Sequence, residues 1–455
     1  MIVKTCNGVV VIEKNNDITL FDPETFMVFY PKENGSYEES ISSFLEKKSI
    51  IKQKNSSQDT PLFQATSTIK KRLSIYWLVT NNCNLRCSYC FADGGSYGQT
   101  RGYMEEKTIE QMLSLLNKDF SDVDEFRILF FGGEPCLYPK VMEMTALAAK
   151  DILKGKKLIL SGTTNGTILP EKLQSFLEEN NVKFAVSLDG QKCVQNCLRK
   201  TATGIGSYDL VRKNLKNFKL ISKKLPILVT VTPKNMELTK TYLHLKELGA
   251  SYIRFTPATL PSDSSLCFTD NDIAFLKNEL TNLADIYLKD LLTEEHPVEI
   301  ESFSIIKSIF HNQKRRTYCG LGDGIIAVTP QGDLYPCPHF IGEKRHCLGN
   351  VHSTFDKEAF KNYFHENQLG KKPTCNACPV KNLCGGECYN YLDNRDKGPN
   401  DMSSILCEIF KHQAYLSIWM YAKLYKAGFF AKNINKPCNI ENTVKSKTIV
   451  EEQAC

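Results

Sequence analysis

No stretch of the 455 residues is apolar for long enough to export the chain or to anchor it in a membrane. At the start the only apolar run is Val9 to Ile12, closed by Glu13 and Lys14, whereas the core of a secretion signal takes about 7–15 apolar residues. Near the end, Leu416 to Phe430 is interrupted by Lys423 and Lys426, which suits a packed helix better than a membrane span. A cytoplasmic protein with no membrane partner is expected. Charge of one sign is also scarce: the net charge is only +6, and Lys and Arg are scattered, so there is no basic stripe and no nucleic-acid partner is expected. No internal repeat of solenoid period is present. Cysteine, in contrast, is plentiful. Without an export signal the 18 cysteines should stay reduced, so regularly spaced ones point to metal rather than to disulfides.

At 42% apolar residues the chain can build a sizeable core, divided into about three domains. From Ser74 onward, short β-branched or aromatic runs alternate with helical patterns, the order of parallel strands joined by crossover helices. Six runs are apolar on both faces, as buried parallel strands are: Ser74 to Thr80, Phe126 to Phe131, Lys157 to Ser161, Phe184 to Leu188, Ile227 to Val231 and Tyr252 to Phe255. Helical patterns lie between them at Glu105 to Leu116, Lys140 to Leu153, Glu171 to Glu179 and Glu237 to Leu248. The pattern predicts an α/β fold, with a six-stranded sheet or partial barrel over residues 74–256 and its chemistry in the loops that follow the strands. Residues 1–65 read differently, with strands at Gly8 to Glu13 and Ile18 to Phe21 and helices at Asp22 to Tyr30 and Glu38 to Leu45, followed by a polar linker around Lys52 to Thr60. After the barrel come a helical bridge over 257–318, including Asn271 to Leu292, a cysteine-rich region over 319–432, and a polar tail over 433–455 expected to lack fixed structure.

Directly after the first strand stand Cys83, Cys87 and Cys90, a CxxxCxxC run from which three thiolates can converge. Three ligands leave one iron of a four-iron cluster open, and the amine and carboxylate of S-adenosylmethionine can chelate an open iron. On spacing alone a zinc or structural site remains an alternative. With Tyr89 just before the third cysteine, the run resembles the hallmark of the radical S-adenosylmethionine (SAM) superfamily, where the aromatic residue packs near the adenine. Gly132-Gly133-Glu134-Pro135, at the end of the second strand, resembles the family's GGE motif, which implies that its backbone and carboxylate accept hydrogen bonds from the cofactor's ammonium group. Thr163-Thr164-Asn165-Gly166 and Ser187-Leu188-Asp189-Gly190 follow the third and fourth strands. By the same resemblance Asn165, Ser187 and Asp189 approach the ribose or methionine part and Arg199 holds the carboxylate. Each is also a common turn sequence, but four polar clusters at four successive strand ends mark one rim.

A second cysteine series contains Cys319, Cys337, Cys375, Cys378, Cys384, Cys388 and Cys407. A zinc knuckle would use Cys375, Cys378, Cys384 and Cys388 and leave the other three idle. The seven-cysteine spacing resembles the SPASM extension of radical enzymes that modify peptides and proteins. The resemblance implies an outer cluster on Cys375, Cys378, Cys384 and Cys407, and an inner one on Cys319, Cys337 and Cys388. That inner set is one ligand short, and Cys347 is a candidate substitute. Three [4Fe-4S] clusters and S-adenosyl-L-methionine are thus the expected cofactors.

The region Tyr89 to Gly98 and the SPASM spacing resemble maturases that form thioether cross-links in cysteine-rich ribosomal precursors. Residues 1–65 resemble a winged-helix-like peptide-recognition domain, which binds a leader peptide by strand addition. The expected partners are therefore a leader-bearing precursor peptide and a reductant such as flavodoxin or ferredoxin. The alternative is an anaerobic sulfatase-maturing enzyme, which oxidises Cys or Ser to formylglycine on the same core; the N-terminal extension argues against it. A non-enzymatic electron carrier would explain the cysteines but not Gly133, Glu134 and the polar strand ends.

Overall fold

The computed structural model describes residues 1–29, 41–46, 71–390 and 405–433, apart from 7, 223 and 261–263. The chain begins with a four-stranded antiparallel sheet ordered β1 (Ile2–Cys6), β2 (Val9–Lys14), β3 (Asp17–Phe21) and β4 (Val28–Phe29), followed by a short helix α1 over 41–46. The helix expected over Asp22 to Tyr30 is not formed in the described part of that range. Asp22, fully buried, accepts a hydrogen bond from Thr25 Oγ1 at 2.6 Å, and its backbone carbonyl accepts one from Phe26 N at 2.8 Å. Such local bonds compete with a helix. Phe26 takes a left-handed φ of 60°, and the chain turns back so that Val28 and Phe29 pair with β3. Tyr30, the expected linker around 52–60 and all of the tail except Asn433 lie outside the described residues.

The six expected strands form the barrel in chain order: β5 (Arg72–Thr80), β7 (Glu125–Gly132), β8 (Lys157–Thr164), β9 (Lys183–Ser187), β11 (Pro226–Val231) and β12 (Tyr252–Pro257), all parallel. Two short strands outside the sheet, β6 (Leu85–Cys87) and β10 (Arg199–Thr201), pair with each other. The sheet continues past β12 into β13 (Glu299–Ile300), and past β5 into β14 (Ile325–Val328) and β15 (Leu334–Tyr335). The crossovers are helical: α2 (Glu106–Asp119), α3 (Pro139–Ile152), α4 (Glu171–Glu179), α5 (Lys192–Leu198), α6 (Tyr208–Ser222) and α7 (Leu238–Glu247). Leu73, Ile75, Trp77 and Val79 of β5, and Ile253 and Phe255 of β12, face these helices in one continuous core. The alternate residues, Tyr76, Arg254 and Thr256 among them, therefore line the inside of the barrel.

Glu125 closes the barrel floor, taking ion pairs from Arg72, Arg127 and Lys157. Burial alone would push its carboxyl up. Hydrogen bonds from Arg127 and Lys157, with the charges of Arg127 and Arg72, outweigh burial and hold the pKa down to about 2.

After the barrel, α8 (Asp270–Thr293) starts on a capping box in which Thr269 and Asp272 satisfy each other's backbone N–H groups. Then follow α9 (Ile305–Phe310), α10 (Lys357–Glu366), α11 (Lys381–Cys384), α12 (Ile405–Lys426) and α13 (Phe429–Asn433). The N-terminal sheet rests on α8 and α12: Lys14 pairs with Asp285 and lies 4.0 Å from the ring centre of Trp419, and Asp17 pairs with Lys423. Among the described residues no helix is long and apolar enough to cross a membrane.

Candidate active site

The cysteine loop leaves the end of β5 and is fixed from three sides. Asn81, fully buried, donates from Nδ2 to Thr100 O at 2.6 Å and accepts from Gly102 N. From the second side the end of β7 lies directly against the loop, with Gly133 N donating to Thr80 O and Glu134 N to Asn82 O, both at 2.8 Å. This approach requires the two glycines: a Cβ on Gly132, whose φ is +122°, would lie 2.1 Å from Thr80 O, and one on Gly133 would lie 2.0 Å from Asn82 O. On the third side β6 pairs with β10, so that Cys87 stands opposite Arg199.

The polar strand ends meet this loop. Glu134, 1% exposed, accepts hydrogen bonds from Cys136 N (3.0 Å), Thr164 Oγ1 (2.7 Å) and Asn165 N (2.7 Å), so its carboxylate ties the end of β7 to that of β8. Burial pushes its carboxyl up, against those three bonds. Asn165 Nδ2 donates to Asn84 Oδ1 at 2.8 Å and lies 3.9 Å from Cys83 Sγ. Asp189, fully buried, accepts from Arg199 Nε (2.9 Å), from Thr230 N (3.0 Å) and from the Tyr89 hydroxyl. The Arg199 guanidinium lies 5.3 Å from the Tyr89 ring centre, and its Nη1 is 4.0 Å from Cys87 Sγ. Asp189 and Arg199, both expected on the cofactor, are thus engaged with each other and brace the cysteine loop through Tyr89 and Cys87. Ser187 is buried at the end of β9.

The three loop thiols act on one another. Burial pushes Cys83 up to about 12, with the charges of Glu134, Cys87 and Cys90 adding to it. Burial raises Cys87 too, against the charge of Arg199. Cys83 and Cys87 are thus held from ionising until a cation compensates them, which fits iron ligation. Among the described residues no three His, Cys, Asp or Glu side chains meet the geometry of a single metal ion. The SPASM-like cysteines group more loosely, through their charges: Cys337 feels Cys388 and Cys319, while Cys384 feels Cys407, Cys375 and Cys378. Cys347 is exposed, donates to Gly349 O at 3.5 Å and bears on Tyr335.

Sequence reasoning missed what joins the two regions. Leu78, Ala92, Tyr97, Leu321, Ala327, Tyr335, Phe340 and Ile341 form a second core, against which Cys90, Cys319 and Cys337 pack. Buried Tyr97 has its hydroxyl pKa pushed well up by burial and by the charges of Cys90, Cys83 and Cys337, which places it between the loop and the inner set. Phe91, next to Cys90, stacks on His339 at 4.1 Å between ring centres. Their only sequence signal was proximity to cysteines. Across the barrel opening, Arg254 acts on Tyr76, Tyr318 and His339, and His339 is brought down to about 4 by burial and that charge.

This barrel, with a three-cysteine loop at its first strand end and polar contacts at the next three, is a radical SAM domain. The family description "Radical SAM superfamily" matches residues 77–245. The chain is 27% identical over 389 residues to the cysteine-type anaerobic sulfatase-maturating enzyme of Clostridium perfringens, spanning 80% of this chain and 97% of that one. A solved structure described as native anSMEcpe with bound AdoMet and Cp18Cys peptide superimposes with a TM-score of 0.63 at 26% identity, covering 80% of this chain and 99% of the other. Streptococcus suis SuiB bound to precursor peptide SuiA shares the fold, with a TM-score of 0.52 at 15% identity over 89% of this chain and 99% of SuiB.

Proposed function

We propose that the chain is a maturase that oxidises a cysteine or serine within a peptide or protein substrate to an aldehyde, as an anaerobic sulfatase-maturing enzyme does. The observation that carries this reading is the likeness to the Clostridium perfringens enzyme over 97% of that enzyme's length. The same likeness favours it over the thioether cross-linking expected from the sequence. The N-terminal sheet, which counted against it, packs on α8 and α12 and leaves the barrel's inner face to the chemistry.

In this reading Cys83, Cys87 and Cys90 would hold a four-iron cluster, which with SAM would supply the radical chemistry for removing one hydrogen atom. Glu134, Asn165 and Ser187 line the SAM rim, while the Tyr89–Asp189–Arg199 brace keeps the loop in place. Cys319, Cys337 and Cys388 serve an inner auxiliary cluster, and Cys375, Cys378, Cys384 and Cys407 an outer one. Clusters held there would supply an acceptor for the electron that substrate oxidation releases, and flavodoxin or ferredoxin would be the outside reductant. The substrate enters between β5 and β12, where Tyr76 and Arg254 face the opening. Confined there, the target C–H is held for one transfer and water is kept from the radical.

The test is anaerobic incubation of the reconstituted enzyme with SAM, a reductant and the Cp18Cys peptide, read by mass spectrometry. Exchange of the cysteine sulfur for an aldehyde oxygen is expected. Loss of a hydrogen pair with the sulfur retained would restore the thioether reading. A second use of the fold is favoured by β1, which pairs on one side only, with β2, among the described residues. That open edge is suited to adding a strand of a leader peptide.

A further inference from the structure

Lys372 is 2% exposed. Its Nζ donates to Asn367 Oδ1 at 2.9 Å and reaches Glu387 O at 3.4 Å, so among the described residues its hydrogen bonds go to neutral oxygens. The side chain passes over Gly386 closely enough that a Cβ there would lie 2.7 Å from Nζ. Apart from the Asn367 segment, the segments packed around that point carry cysteines. Cys384 Sγ donates to Gly386 O at 3.1 Å, and Glu387 immediately precedes Cys388. Gly385, at φ +79°, is pressed so closely on Thr317 O, two residues before Cys319, that a Cβ would lie 2.2 Å away. Cys375 N donates to Lys372 O at 2.9 Å. The segments that carry Cys319 and Cys388 of the inner set and Cys375 and Cys384 of the outer set thus meet around one lysine. All four act on its charge, against burial, which pulls its pKa down.

A buried ammonium is costly unless an anion faces it. Thiolate-ligated four-iron clusters are anionic and become more so on reduction, and their potentials follow local charge. We propose that Lys372 is a positioning residue for electron transfer, whose fixed positive charge stabilises the added electron on the two auxiliary clusters and so raises their reduction potentials. This rests on the ligand assignment above. The electron concerned is the one released when the substrate radical is oxidised, while the accompanying proton leaves the thiol or hydroxyl of the target. At a few ångströms through a protein interior, one unit charge is enough to move a one-electron equilibrium by a factor of ten or more.

The experiment uses the full chain, anaerobically reconstituted, with iron measured per chain and reduction followed by electron paramagnetic resonance at a series of fixed potentials. Lys372→Met should retain auxiliary iron, and its reduced auxiliary fraction at a given poise should fall about tenfold, equivalent to ~59 mV for a one-electron couple. The loop cluster should titrate unchanged, and Lys372→Arg should restore the auxiliary behaviour. An auxiliary titration in Lys372→Met that coincides with wild type overturns the proposal. Wild-type protein carrying only the iron of the loop cluster overturns the ligand assignment and the proposal with it. Where Lys372→Met fails to hold iron, Lys372→Gln, which keeps a donor for Asn367, takes its place. Loss of auxiliary iron in Met, Gln and Arg variants alike assigns Lys372 a purely structural role and overturns the proposal. Loss confined to the neutral variants assigns the charge to cluster assembly rather than to potential and likewise overturns the proposal.

Discussion

Gly133 and Asp189 show how little freedom the individual site residues have. A methyl group on Gly133 would meet backbone, at Asn82 O and Cys83 N, which cannot swing aside as a side-chain tip can. Gly133→Ala should therefore displace the cysteine loop and lower iron at that loop, while the auxiliary signals persist; iron analysis with paramagnetic resonance checks this. Asp189→Asn leaves Arg199, 8% exposed, without its anion. Breaking a buried pair of this kind costs about 3–5 kcal/mol, and the denaturant midpoint should fall accordingly. The loop cysteines, Glu134 and Asn165 were legible because chemistry dictates their types and spacing along a short segment. Tyr97, His339 and Lys372 were not, because no spacing rule marks them and only packing shows what they meet: Cys337 for Tyr97, Phe91 for His339, and the Gly386–Glu387 turn for Lys372. Arg199 and Asp189 were found, but their mutual ion pair was not, since two opposite charges in a sequence do not show whether they face a ligand or each other.

Strands buried on both faces read as continuous apolar runs, which is why the six barrel strands were anticipated to within a few residues; α2, α3, α4 and α7 were anticipated as well, but α5 and α6 were not. The three-residue strands β6 and β10 are too short for any period, and only the fold brings them together. β1 was missed, and the Asp22 turn imitated a helix start because an acidic residue followed by Pro and Glu is also how helices begin. At the barrel floor, three strands contribute charges to one carboxylate, and this makes a pH prediction. Glu125 is held at about 2, below its ordinary 4.5, so it stabilises the folded state fully above about pH 4.5 and the contribution is lost as pH falls toward 2. Discounted for the partly exposed cations, this is on the order of 1–2 kcal/mol. Glu125→Gln should be less stable than wild type at pH 7 and should show a flatter loss of stability on acidification, measured by urea unfolding across that range.

On the proposed reading the N-terminal sheet, the barrel and the cysteine-rich region have separable duties, and deletion can test their independence. Removing residues 1–65 should leave SAM cleavage without peptide largely intact and weaken binding of a leader-bearing peptide, measured by 5'-deoxyadenosine release and by titration of the peptide. Full loading of the proposed sites predicts about twelve irons per chain, falling by about four when Cys83, Cys87 and Cys90 are all replaced by Ala.

The long helix α12 carries Cys407 in its first turn and, at Trp419 and Lys423, receives Lys14 and Asp17 of the N-terminal sheet. At 1.5 Å per residue it is a rod of roughly 33 Å. This fixes an order of events during synthesis. On the proposed ligand sets, the loop and inner cysteines have all been made once Cys388 has, whereas the outer set awaits Cys407 at the start of α12. A ribosome-bound chain stopped before Cys407 should therefore acquire the loop iron without the outer iron.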